Sequence, residues 1–151
     1  MQKHDQIERA RQEFAELMNA IVGMDEDRLT VPAIGQRSVR DVMAHITGWT
    51  LFDTEIMRRL GRGERPIQDG EFDIDTRNAG YAAEAASKSP EAVNVELRAA
   101  FDKFIDAATA LPEDRITEGR TAHRMMQGPA YEHLKEHRAE VAAYGSTIAT
   151  E

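Results

Sequence analysis

The sequence predicts an all-α fold: a four-helix bundle with a long crossover after the second helix and one short extra helix. Three observations carry this. Apolar residues recur at three- and four-residue spacing through four long stretches, strand-type alternation is missing, and Ser, Pro and Gly mark where the stretches begin and end. Four such stripes bury most simply against one another. At 151 residues the chain fits one domain, 1–151, able to bury about two-thirds of its unfolded surface.

The first helix is expected from Gln6 to Met24, with Ile7, Ala10, Phe14, Leu17, Ile21 and Met24 on one face. Residues 25–37 carry Pro32 and Gly35 and read as a loop. Ser38 is a good N-cap for the second helix, and Asp41 places a negative charge in its first turn. That helix presents Val42, His45, Ile46, Trp49, Phe52, Ile56 and Leu60 on one face and ends at Gly61 and Gly63. Residues 61–72 are polar and too many for a tight turn, so they form the crossover.

A shorter helix starting at Asp73 or Asp75 would turn Ile74, Asn78, Tyr81 and Ala85 inward. Ser89-Pro90 supplies the cap and first position of the next long helix, whose stripe runs Val93, Leu97, Ala100, Phe104, Ala108, Leu111. Residues 113–128 are the least legible, mixed and polar, and read as loop, a short helical turn or both. Gly128-Pro129 then opens the last helix, with Ala130, His133, His137, Val141 and Tyr144 on its inward face. The tail from Gly145 is expected to fray.

Composition excludes several functions. The net charge of −8 argues against a nucleic-acid partner, because phosphate neutralisation needs a basic face. No apolar run approaches the roughly 20 residues of a membrane span, and the polar start MQKHDQIERARQ holds no signal-peptide core. A cytoplasmic location is therefore expected. With no cysteine, disulfides and thiolate ligands are out, and any metal must be held by nitrogen and oxygen.

The chemistry concentrates in three histidines. His45 lies inside an apolar stripe, where a polar ring needs a partner. His133 and His137 are one helical turn apart, so both rings leave the same face and can share an ion. Three imidazoles from facing helices make a candidate catalytic metal site, since three protein ligands leave a position open. The ion would acidify a water or thiol towards neutral pH. Zinc, nickel, iron and manganese all accept imidazole. Without metal, one histidine would serve as general base on water.

Around the triad, Trp49 would form a pocket wall one turn from His45. Asn78 and Tyr81 share the inward face of the short helix as candidate substrate contacts. Asp53 either approaches the cavity or pairs at the surface with Arg37 or Arg58; Asp41 either orients His45 or serves the helix start. His123 is a reserve ligand or substrate contact, and Glu140 is expected to face outward beside Arg138.

These residues resemble a known group. SVRDVMAHITGW, in which Ser38-Val39-Arg40-Asp41 is followed by His45 and Trp49, is similar to the signature of the DinB-like superfamily. YEHLKEHRAEV resembles its final histidine pair, and DIDTRNAGYAAEAASKSPEAV is similar to the colibactin self-resistance (ClbS/DfsB) branch. One departure is that Gln36 and Arg37 stand where the superfamily usually has tryptophan before the Ser/Thr. The resemblance implies an up-down-down-up four-helix bundle, commonly a homodimer, with a divalent metal at His45, His133 and His137.

Relatives implied by it include thiol-dependent S-transferases, isomerases and an enzyme that hydrolyses an electrophilic cyclopropane; that branch does not obviously depend on metal. The expected function is thus addition of water or a low-molecular-weight thiol to a small-molecule electrophile, in self-resistance or detoxification. Metal-free hydrolysis, or binding without turnover, is the alternative.

Overall fold

The computed structural model describes residues 3–68, 70–115, 121–127 and 131–149, and among them the chain is helical without a β-strand. Helices α1 (Lys3–Ile21), α3 (Val39–Gly61), α5 (Pro90–Ala110) and α7 (His133–Ala149) are the four long members. Between them lie α2 (Glu26–Thr30), α4 (Ile74–Ala86) and α6 (Thr121–Gln127). The expected all-α bundle is the observed one.

Cross-helix contacts give the directions. Arg9 stacks on the Tyr131 ring, Glu13 pairs with Arg138, and Gly145 packs near Ala20 and Met24, so α1 and α7 run parallel. Met43 meets Asn94 while Gly61 meets Leu111, so α3 and α5 are also parallel. Lys3 at the start of α1 donates to the Leu111 carbonyl just past the end of α5, and Phe14 stacks on Phe101 mid-way, making α1 and α5 antiparallel. This is up-down-down-up. Parallel neighbours need a long connection, which residues 62–89 supply with α4 inside it.

Local chemistry sets the boundaries. At α3, Ser38 Oγ accepts from the Asp41 N–H at 3.1 Å, while the Asp41 carboxylate accepts from the Ser38 N–H at 2.9 Å. Asp41 is therefore spent on the cap rather than on His45. Gly63, with φ +78°, lets the chain reverse after α3 where other residues would be strained. Ser89 caps α5 with Pro90 in its first turn.

The core draws on all four long helices, with Leu17, Met43, Met57, Leu97, Phe104 and Val141 at 2% exposure or less. Each such side chain stabilises the fold by roughly 1.5–3 kcal/mol before entropy is charged against it. Arg138 ties α7 to α1 in forked geometry, its Nε and Nη2 donating to the buried Glu13 carboxylate at 2.9 and 3.3 Å.

Four expectations are corrected. Residues 25–37 contain the five-residue α2, capped by Asp25, rather than loop alone. The first helix starts and stops three residues early, at Lys3–Ile21, because Gly23 turns the chain at φ +89°. Ile74 is 57% exposed, since α4 packs on α3 along a narrow line that buries only Ala85 fully. The tail does not fray at Gly145: α7 continues to Ala149, and Gly145 packs on Met24. The expected first residues of the last helix, Gly128-Pro129 and Ala130, lie outside the described residues.

Candidate metal centre

His45 leaves α3 two turns after its cap, and His133 and His137 leave the first two turns of α7. A π-helical turn at residues 131–132 leads into that first turn, a geometry often found at functional sites. His133 Nε2 lies 3.3 Å from His45 Nε2 and 2.8 Å from His137 Nε2. One ring nitrogen from each histidine falls within 4.8 Å of the other two.

The environment keeps these rings neutral. Burial pushes His45 down to about 3, helped by the charges of His137, Arg37 and His133. Burial also lowers His133, with His137 next, and lowers His137, with Arg37 next. A neutral imidazole offers a lone pair, and a protonated one offers none.

The donor set fits a divalent cation. Three neutral imidazoles meeting through Nε2 cannot all satisfy those atoms on one another. Zinc–nitrogen bonds of 2.0–2.1 Å in a tetrahedron place neighbouring nitrogens about 3.3 Å apart. The His45–His133 separation matches that edge, and the His133–His137 separation of 2.8 Å falls about half an ångström short. His137 Nδ1 is buried without a hydrogen-bond partner, and the Glu140 carboxylate lies 3.6 Å from it. Glu140 is thus part-exposed, as expected, with its carboxylate near the nitrogen that ligating histidines turn to a supporting group.

His45 and His133 form one wall of an open groove of about 830 Å³. Trp49, Phe52 and Phe72 supply its aromatic surface, and Ile67 and Ile74 its aliphatic rim. Trp49 Nε1 donates to Asn78 Oδ1 at 2.7 Å, fixing both side chains at the edge. Asp53 lines the groove at 8% exposure, and burial alone pushes its carboxyl up to about 7. No described residue bonds or ion-pairs with it, so the expected surface partners Arg37 and Arg58 are not its partners.

The structure therefore gathers His45, His133, Trp49, Asp53 and Asn78 around the groove, with His137 joined to His45 and His133 behind it. Tyr81 stands apart. It packs edge-on to the back of Trp49 at 5.7 Å between centroids and lines a second cleft bordered by α4 and α5. Sequence reasoning missed Ile67 and Phe72, the apolar pins of an otherwise polar crossover, and Arg124 and Met125 of α6. Two apolar side chains in that crossover were the available signal. The His123 side chain lies outside the described residues.

A sequence profile of the DinB superfamily matches residues 6–144. The chain belongs to the DinB superfamily. The match is to the superfamily as a whole and does not single out the colibactin self-resistance branch. Divalent metal is common in this superfamily, in keeping with the clustered histidines. An uncharacterised protein from Escherichia coli UTI89 shares the fold at a TM-score of 0.82 and 13% identity, covering 98% of this chain and 95% of its own. A protein from Streptococcus pneumoniae does so at 0.75 and 11%, covering 99% and 91%. At such identities the likeness is one of fold. No curated protein matches the sequence. Among the described residues, no helix is long and apolar enough to cross a membrane.

Proposed function

We propose that this DinB superfamily protein is a metal-dependent enzyme that adds water or a small thiol to an electrophilic small molecule, as a hydrolase or thiol-dependent transferase. One observation carries the reading: three neutral imidazoles converge through Nε2 beside an aromatic groove of about 830 Å³. A groove of that size accepts a drug-sized molecule. His45, His133 and His137 hold the ion, with zinc or nickel favoured by the all-imidazole set. A divalent ion bound there supplies Lewis acidity, which eases deprotonation of water or thiol at neutral pH.

The remaining work falls to the chain. Trp49, Phe52 and Phe72 receive the apolar body of the electrophile on their faces. Asn78 spends its carbonyl on Trp49 and keeps its amide N–H groups to donate to a ligand oxygen. Ile67 and Phe72 pack the crossover against the core and extend the apolar surface of the groove. Consumption of an electrophile accords with the detoxification or self-resistance role that the sequence resemblance implies.

The test is elemental mass spectrometry on protein purified without a histidine tag, beside the His133→Ala/His137→Ala double variant. About one equivalent of a transition metal in the wild type, absent from the variant, is expected. No metal after reconstitution, or equal metal in both proteins, refutes the reading and leaves a metal-free binding or hydrolytic pocket.

A further inference from the structure

Beside the open groove, and sharing Trp49, Asp53 and His133 with it, lies a second, partly open space of about 20 Å³, whose polar walls include Thr50, Asp53 and His133. Apolar side chains of α3, α5 and α7, Phe101 and Phe104 among them, line the rest. A space of this size holds one water, provided two or more polar groups face it.

Two groups at this cavity have no partner among the described residues. Asp53 is 8% exposed, and no described residue bonds or ion-pairs with its carboxyl, which leaves water as its partner. It is not one of the groups clustered within 4.8 Å at the metal centre, so it acts from outside that cluster. His133 turns Nε2 towards His45 and His137, and no described residue bonds its other ring nitrogen. Of the three histidines, His133 is the one that borders the small cavity. Metal-ligating histidines almost always donate their second N–H to a carboxylate, carbonyl or water, and that bond fixes tautomer and ring angle.

We infer that one water in this cavity joins His133 to Asp53 and makes Asp53 the positioning residue for that ligand. The His133 Nδ1–H donates to the water, and the water donates to the Asp53 carboxylate. This holds the His133 proton on Nδ1 and leaves Nε2 free to bind the ion. On the other side the Glu140 carboxylate lies 3.6 Å from His137 Nδ1, near it but beyond hydrogen-bond distance. The inference rests on the metal reading of the site. It also explains why a carboxyl stands among Ile46, Phe101, Phe104 and Leu134, where an apolar side chain would pack without penalty.

The test compares the full chain with its Asp53→Asn and Asp53→Leu variants by zinc titration against a chromophoric chelator. Asp53→Leu should weaken zinc roughly 10- to 100-fold. Asp53→Asn should lose less, because its amide oxygen still accepts from the water. A second readout, nitrogen-15 NMR of the His133 ring in metal-free protein, should show the Nδ1–H tautomer in the wild type and a mixture in Asp53→Leu. Should Asp53→Leu fail to fold, Asp53→Ala, which also lacks the acceptor, carries both comparisons. Zinc affinity within twofold across the folded proteins, or an unchanged tautomer, overturns the inference and leaves the metal reading standing. A wild type that binds no zinc overturns both.

Discussion

The Trp49 indole N–H donates to Asn78 Oδ1 at 2.7 Å, and this bond joins α3 to α4 at the lip of the groove one turn from His45. It is a direct polar link between the ligand-bearing helix and α4. Asn78→Ala would leave the indole N–H without its acceptor in a part-buried place, at a cost of about 1–2 kcal/mol. Trp49 is the sole tryptophan, so its emission reports this site alone. Asn78→Ala should shift the emission to longer wavelength and lower the urea midpoint, while Asn78→Asp, which keeps an acceptor, should retain the wild-type spectrum. Identical spectra for wild type and Asn78→Ala would count against the link.

On the opposite side of Trp49, α3 and α4 touch through Gly48 and Tyr81. A Cβ at position 48 would run into the Tyr81 ring. Glycine inside a helix costs roughly 1 kcal/mol relative to alanine, and overpacking costs roughly 1–3. Gly48→Ala alone should therefore destabilise by about 1 kcal/mol and push Tyr81 against Trp49. In a Tyr81→Ala background the sign should reverse, with alanine at 48 stabilising by about 1 kcal/mol. Chemical denaturation of the four proteins in this cycle measures both numbers; equal signs in the two backgrounds would show that the contact does not restrain position 48.

Periodicity made the long helices and the histidine triad readable, because a 3.6-residue repeat determines which side chains share a face. His133 and His137 needed only their spacing, and His45 only its place in the α3 stripe. What failed depended on facts that a single helix does not contain. Asn78 and Tyr81 are three residues apart and share a face by spacing, yet the narrow contact of α4 with α3 sends them to opposite sides of Trp49. Glu140 reads as a surface residue beside Arg138 and is part-exposed, but Arg138 is committed to Glu13 on α1, and Glu140 lies near His137. Ile67 and Phe72 sit in a stretch too polar and glycine-rich for any periodic signal, and only the folded crossover shows that they line the groove. The five-residue α2 is too short to display a stripe at all.

His45 and Asp53 give the metal-free protein opposite responses to pH. His45 titrates at about 3 when folded and near 6.5 when unfolded, so between those values the unfolded chain binds more protons. Its effect is to lower stability as pH falls below about 6.5, and His133 and His137 shift in the same direction. Asp53 titrates at about 7 when folded and near 3.8 when unfolded, so there the folded chain binds more protons and stability falls as pH rises. Above pH 7 the Asp53 penalty is complete, on the order of 4 kcal/mol, and the histidines contribute nothing through protonation. Asp53→Asn should accordingly stabilise the metal-free protein at pH 8 and change it little at pH 4. His45→Gln should do the reverse, flattening the loss of stability between pH 6.5 and 4 relative to its own value at pH 8. Urea unfolding in chelator at pH 4, 6 and 8 resolves the two. If Asp53→Asn were as stable as wild type at pH 8, the carboxyl would not be held in a desolvated place, and its assignment beside His133 would fall with it.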